Sequence, residues 1–371
     1  MDIAPAPLEE WMRKYYFTTE IDIGSSGVEN FSVGDLRSLL DITQEEMDDV
    51  ILHDSSSYGN LSLRDAIARR WGNGNPEWVM ATHGSSEGIF LTMSTLLSPG
   101  DKVVVVAPCY HSLASIAVSM GCTLKRWELS AAQNFRPNME DLQHLIDSDT
   151  RMVIVNFPHN PTGITLSVRE QELLISAVAN VGAYLVWDAA FADLTYDEPP
   201  LPDPTLRYER AISISTFSKA YGLPGLRFGW CLAAPDILAK FVHLRDRTTL
   251  HLSPLVEFIA KRVVDHAPRL LSPRLQQARA NRDVLAAWVD QFHEYVDWVP
   301  PQGGVTAFPR FPRVCDIEAF CHDLANNHRV LLVPGTCFNI PSRVRLGFGG
   351  ATAELVEGLS RLTSLLVTVD T

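Results

Sequence analysis

The chain has 371 residues, 46% hydrophobic and 20% charged, a balance that excludes a disordered chain or a short peptide scaffold and supplies a sizeable core. At about 150 residues per domain it should form two or three domains, or one large domain and a smaller one. With 31 Lys and Arg against 44 Asp and Glu, the net charge is −13, and without a long basic run the chain is a poor nucleic-acid binder. No stretch of about 18 apolar residues reads as a membrane span, and the start has no basic-then-apolar leader pattern. The six cysteines, Cys109, Cys122, Cys231, Cys315, Cys321 and Cys337, form no C-x-x-C pair and no cluster with His at zinc spacing. They read as reduced thiols in a cytoplasmic protein with no metal site.

In chain order, residues 1–45 read as an N-terminal segment that packs with a small domain or over a cleft. Residues 46–249 read as a large domain, because β-branched runs at 102–107, 151–157, 183–187, 211–216 and 226–232 alternate with helical stretches. Ser167 with Glu170 three residues later is a capping box ahead of one such helix. Strand, helix and strand at this spacing predict crossover units and a mainly parallel sheet. Residues 250–371 read as a smaller α+β domain. Its expected parts are a long helix at 272–292, a strand start at Gly303–Gly304, a helix at 316–327, strands near Val330 and Val344, and a last amphipathic helix at 353–366.

The chemistry concentrates around Lys219, in the string Ser215-Thr-Phe-Ser-Lys-Ala-Tyr-Gly-Leu-Pro-Gly-Leu-Arg-Phe-Gly229. A lysine in an apolar cleft at a strand end can lose its proton and form a Schiff base. Thr216, Ser218 and Arg227 are suited to holding a phosphate. Taken alone, Lys219 reads as a surface lysine at a strand end; the surrounding glycines and hydroxyls argue otherwise. Gly84, Ser85 and Ser86 follow a strand and open a helix, whose N-terminal N–H groups attract an anion.

This pattern resembles the lysine motif of the fold type I, aspartate-aminotransferase-like enzymes that use pyridoxal 5′-phosphate. The resemblance covers nearly the whole chain. It implies an α/β fold, with a mainly parallel seven-stranded sheet between helices in the large domain, plus the smaller α+β domain. It also implies roles. Lys219 is the catalytic lysine. Gly84, Ser85, Ser86, Thr216, Ser218 and Arg227 cradle the phosphate, and Tyr110 stacks on the pyridine ring. Asn160, in Asn-Pro-Thr-Gly, donates to the phenolic oxygen, and Asp188 pairs with the ring nitrogen, which lets the ring accept electrons. Arg345 grips the substrate α-carboxylate through its planar fork. Tyr58 reaches the phosphate of a neighbouring subunit, so a homodimer with shared sites is implied. The chain departs from the family at Asp188-Ala-Ala-Phe191, where a tyrosine is usual at the last position.

Further strings, among them Ile21-Asp-Ile-Gly-Ser-Ser-Gly27, Thr82-His-Gly-Ser-Ser-Glu87 and Val155-Asn-Phe-Pro-His-Asn-Pro161, resemble the branch of hydroxyarginine cyclases that includes capreomycidine and enduracididine synthases. That implies a small amino acid substrate carrying a guanidinium, with γ-hydroxy-L-arginine giving L-enduracididine preferred over β-hydroxy-L-arginine giving capreomycidine. Glu9 is the candidate carboxylate for the guanidinium, with Asp22 and Ser25 behind it. Glu9 also reads as an exposed residue in the first turn of a helix, and His83 as a supporting hydrogen-bond group. An ordinary aminotransferase shares the same core motifs. A non-catalytic sensor would need a DNA-binding region that the chain lacks.

Overall fold

The computed structural model describes residues 3–370. A seven-stranded sheet forms its centre. In chain order the strands are β1 (Val79–Thr82), β2 (Lys102–Ala107), β3 (Thr123–Glu128), β4 (Thr150–Asn156), β5 (Tyr184–Asp188), β6 (Ala211–Thr216) and β7 (Gly229–Leu232). In space they run β1-β7-β6-β5-β4-β2-β3, and only β7 is antiparallel to its neighbours. The family expectation of a mainly parallel seven-stranded sheet is met.

The strands are apolar because both sheet faces are covered. Val104, Val106, Val153, Val155, Leu185 and Trp187 enter one apolar cluster. The intervening Val103, Val105, Met152, Ile154, Tyr184 and Val186 enter the other. The Ser167–Glu170 capping box forms as expected and starts the helix Val168–Val181, which Gly182 ends in the left-handed conformation at φ 73°.

Two sequence expectations need correction. The 226–232 run is a strand only from Gly229. Pro224–Leu226 instead forms a 3-10 turn, and Arg227 has φ 50°. The edge strand β3 was not expected, since its Thr-Leu-Lys-Arg-Trp-Glu sequence is mostly solvent-facing, with Trp127 its buried residue.

The C-terminal part contains the long helix Ala267–Gln291, which starts five residues before the expected 272. It also contains a three-stranded antiparallel sheet of Val333–Pro334, Val344–Gly347 and Thr306–Ala307, with the helices Ile317–Asn327 and Thr352–Leu366. The N-terminal segment is tied to this part. Ile21–Asp22 pairs in parallel with Val330–Leu331, Trp11 Nε1 donates to the Leu332 carbonyl at 2.9 Å, and Gly347 N donates to the Ile23 carbonyl at 2.9 Å. These ties bring the helix Pro7–Tyr15 over the C-terminal ends of the sheet strands. Among the described residues no helix is long and apolar enough to cross a membrane.

Candidate active site

Parallel pairing places the strand ends side by side. Asn156 stands opposite Asp188, and Asp188 opposite Ile214. The chain leaving β6 turns at once through Ser218 and Lys219. A cavity of about 940 Å³ opens above these ends. Of the residues expected from the sequence, Lys219, Ser85, Ser86, Tyr110, Asn160, Asp188, Thr216, Ser218, Arg227, Arg345, Glu9, Asp22 and Ser25 all line it.

Gly84 opens the helix Gly84–Leu96 at one end of the cavity. Its φ is +72°, and a Cβ there would come within 2.7 Å of Arg227 Nη2. A Cβ on Gly229 would stand 2.6 Å from the Gly84 carbonyl carbon and 2.8 Å from Ser85 N. Gly84 is held to glycine by its positive φ, and Gly229 by the close approach of backbone. The helix N-terminus, Ser85, Ser86, Ser218 and Arg227 therefore share one corner. Thr216 Oγ1 and Ser218 Oγ are 2.9 Å apart, and Ser218 N donates to Thr216 Oγ1 at 3.1 Å, which sets the turn.

Asp188 lies at the cavity floor, where burial pushes its carboxyl up to about 6. Ala190 N donates to its Oδ1 at 3.0 Å. Beside it, Asn156 Nδ2 donates to the Asp188 carbonyl and Asn156 Oδ1 accepts from Asn160 N. Asn160 is buried, and its own Oδ1 has no hydrogen-bond partner among the described residues. Burial, aided by the charge of Arg345, pulls Lys219 down to about 8. Its Nζ donates to Ser26 Oγ at 2.9 Å. Phe191, where the family has tyrosine, is buried with its ring centre 5.9 Å from that Nζ.

On the opposite wall Arg345 is buried, its Nε donates to the Gly24 carbonyl at 3.0 Å, and burial brings it down to about 10. Glu9 is half-buried rather than exposed in its helix, and accepts from Tyr110 Oη. Asp22 lines the cavity, but its Oδ1 accepts from Gly24 N and Ser25 N at 2.9 and 2.8 Å. That oxygen shapes a turn. Ser25 is half-buried beside it.

Besides Gly84, whose backbone opens the helix at the cavity's end, two sequence candidates are absent from the cavity lining. Tyr58 sits in the loop before the helix Leu61–Trp71, with the Arg64 guanidinium 5.5 Å from its ring centre. His83 turns toward Glu87, and its N–H donates to Glu87 Oε2 at 2.6 Å. Burial would raise Glu87, but hydrogen bonds from His83 and Thr249 and the charge of Arg245 hold it down at about 2. Sequence reasoning missed Ser26. The signal was there in Gly24-Ser-Ser-Gly27, but nothing in that string says which serine turns inward.

Pyridoxal 5′-phosphate fits these residues. The Gly84–Gly229 corner leaves backbone N–H groups and hydroxyls around a space of phosphate character. Asn160, buried on the cavity wall, offers an amide N–H to a ligand there. Asp188, buried and raised, would be relieved by a cationic ring nitrogen. Among the described residues there is no group of three or more His, Cys, Asp or Glu side chains suited to a metal ion.

The comparisons with known proteins agree with this geometry. Capreomycidine synthase of Streptomyces vinaceus is 44% identical over 98% of this chain and 94% of its own length. Aspartate aminotransferase of Thermotoga maritima is 26% identical over 83% of this chain and 82% of its own. Among solved structures, the PLP-dependent cyclase OrfR superposes with a TM-score of 0.94 at 42% identity, covering 99% of this chain and 98% of that one. The model of the family described as aminotransferase class I and II matches residues 27–362. The chain belongs to the class I and II aminotransferase family.

Proposed function

We propose that this protein is a pyridoxal-phosphate-dependent cyclase that closes a ring in a hydroxylated L-arginine. Water is lost, a guanidine nitrogen bonds to the carbon that bore the hydroxyl or to its activated equivalent, and the α-amino group is retained. The observation that carries this reading is the placement of Glu9 and Arg345 on the same cavity as Lys219: a carboxylate for a guanidinium, an arginine for a carboxylate, and an amine between them. The 44% identity to a capreomycidine synthase along the whole chain supports it.

When bound, pyridoxal phosphate supplies an electron sink for charge that develops at the substrate Cα. The chain's own residues do the rest. Arg345 binds the α-carboxylate through two parallel N–H donors. Lys219 Nζ, at about 8, is partly neutral near neutral pH, so it can take the Cα proton and later return it. Asp188 keeps the ring nitrogen protonated, and Asn160 and the Gly84–Arg227 corner fix the group in place. Glu9 orients the guanidinium, and its helix shields the cavity from water. We further propose that residues 1–45 act as a lid between a large domain (46–249) and a small one (250–371). In the same reading Tyr58 completes the phosphate site of a second subunit in a homodimer, and the enzyme works in the cytoplasm in specialised-metabolite biosynthesis.

The hydroxyl position sets the ring. On Cγ, as preferred from the sequence, a second proton must leave Cβ and a five-membered ring forms. On Cβ, as the capreomycidine synthase similarity favours, hydroxide leaves directly and a six-membered ring forms. Holoenzyme supplied separately with β- and γ-hydroxy-L-arginine tests this. Loss of one water from either substrate supports the cyclase, and the substrate that reacts gives the ring size. Turnover of neither, with keto acid formed from ordinary amino acids, would make the protein an aminotransferase, the reading its 26% identical aspartate aminotransferase relative favours.

A further inference from the structure

We propose that Ser26 is the catalytic group that carries a proton from Lys219 to the leaving hydroxyl of the substrate, an inference that rests on the cyclase reading. Hydroxide is a poor leaving group, so ring closure needs a proton donor beside the scissile C–O bond. A hydroxyl accepts and donates at once, and Ser26 Oγ already accepts from Lys219 Nζ at 2.9 Å while lining the cavity. Ser26 is only 6% exposed, so its hydroxyl is held by the protein and not by bulk water.

Its position is tightly fixed. Val28 N donates to the Lys219 carbonyl at 3.3 Å, so the segment runs alongside the lysine. Arg345 Nε holds the Gly24 carbonyl. A Cβ on Gly347 would overlap the Ser25 carbonyl oxygen at 1.7 Å, and one on Gly349 the Gly27 oxygen at 2.3 Å, so the serine turn presses on glycine backbone on both sides. Ser26 is thus fixed beside the amine that works at Cα, in the cavity that Arg345 also lines.

Several other protic groups of the cavity are committed. Tyr110 Oη donates to Glu9, and burial together with the Glu9 charge raises it further above its ordinary value. Thr216 Oγ1 and Ser218 Oγ are paired, and Asp22 Oδ1 serves its turn.

The step balances as follows. For a β-hydroxyl, neutral Lys219 takes the proton from Cα and becomes an ammonium. For a γ-hydroxyl it first sets the Cα proton down on the conjugated carbon skeleton, from which it later goes back to Cα. It then takes one from Cβ, and Cβ is the carbon that the guanidinium's proton finally reaches. The ammonium gives a proton to Ser26 Oγ as Ser26 gives its own to the substrate oxygen. The C–O bond breaks with its electron pair on oxygen, and water leaves. When the guanidinium nitrogen bonds to carbon it loses one proton, which returns through Lys219 to carbon. Nothing is oxidised or reduced.

The test uses Ser26→Ala holoenzyme in deuterated water. Exchange of the α-proton of L-arginine, which has no hydroxyl to lose, should fall at least about tenfold less than ring closure does. Ring closure of hydroxyarginine should fall about 100-fold or more, the usual worth of a general acid. A second readout needs no turnover. In the cofactor-free protein, amine-specific labelling of Lys219, followed by mass spectrometry against pH, should show its midpoint about one pH unit lower in Ser26→Ala, because an acceptor of the ammonium is gone. Ser26→Thr, which keeps the hydroxyl, should keep most of the ring closure that Ser26→Ala loses, which separates the relay from a packing defect. Equal loss of exchange and closure, or an unchanged midpoint, would overturn the relay. A wild-type enzyme that closes the ring no faster than Ser26→Ala would overturn the relay alone. Wild type that yields keto acid and no ring would overturn the cyclase reading and the relay with it.

Discussion

Tyr110 Oη donates a hydrogen bond to Glu9 Oε1 at 3.0 Å, joining residues 101 positions apart. One belongs to the turn after β2 and the other to the N-terminal helix. The bond gives that helix a polar anchor on the catalytic wall, and it aims a carboxylate into the cavity that Arg345 and Lys219 share. The anchors of the same helix toward the C-terminal part, through Trp11 and Leu332, fix its other side.

Glu9→Gln keeps the shape and removes the charge. A hydrogen bond to a charged group is worth about 1.5–3 kcal/mol, so KM for a guanidino substrate should rise about 10- to 100-fold. Cofactor affinity should stay the same. Steady-state kinetics with spectroscopic titration of the cofactor checks both, and an unchanged KM would remove Glu9 from substrate binding.

Asp188 gives a pH-dependent prediction. Its folded-state value is raised from 3.8 to about 6 by burial. A raised value means its contribution to stability is present below 3.8 and is lost as pH rises through about 6. In cofactor-free protein at pH 8, Asp188→Asn should therefore melt at a higher temperature than wild type, and the gap should shrink toward pH 4. With cofactor the order should reverse, since the asparagine cannot pair with a cationic ring nitrogen. Thermal unfolding with and without pyridoxal phosphate reads both; a cofactor-free variant less stable than wild type at pH 8 would contradict the assignment.

Phe191 puts an apolar ring beside Lys219 at the position where the family resemblance implies a tyrosine hydroxyl for the cofactor's phenolic oxygen. Phe191→Tyr should restore a donor and favour the deprotonated form of the bound cofactor. The pH midpoint of its visible absorbance should fall by about one unit, in line with one added hydrogen bond to a charged group. A midpoint that does not move would place the new hydroxyl away from the cofactor.

Gly229→Ala puts a methyl 2.6 Å from the Gly84 carbonyl carbon and 2.8 Å from Ser85 N, so the backbone of the phosphate corner must shift. Cofactor affinity should drop at least about tenfold, since a misplaced helix N-terminus loses its aligned donors. Equilibrium dialysis would show it. Gly225→Ala, where a Cβ meets nothing within 4 Å, should bind as wild type does.

Much of this site was legible because its residues sit at strand ends whose apolar runs are unmistakable. Asp188 ends β5, Thr216 ends β6, and Ser85 and Ser86 begin a helix, so locating the strands located the chemistry. Less was legible where neighbours far along the chain decide. The two serines of Gly24-Ser-Ser-Gly27 look alike until Gly347 and Gly349 fix the path of the turn and Ser26 points to Lys219. The run at 226–232 looked like a strand throughout, but Arg227 takes a left-handed conformation beside Gly84, which delays β7. The edge strand β3 carries little apolar signal because one partner, β2, suffices to hold it.

The central claim is that the enzyme removes water from a hydroxyarginine and keeps the α-amino group. The most direct measurement is mass spectrometry of the product from hydroxy-L-arginine labelled with heavy nitrogen at the α-amino position, incubated with holoenzyme and an unlabelled keto acid. The account predicts a product lighter by one water that retains the label. Transfer of the label to the keto acid, with a keto product left behind, would contradict it.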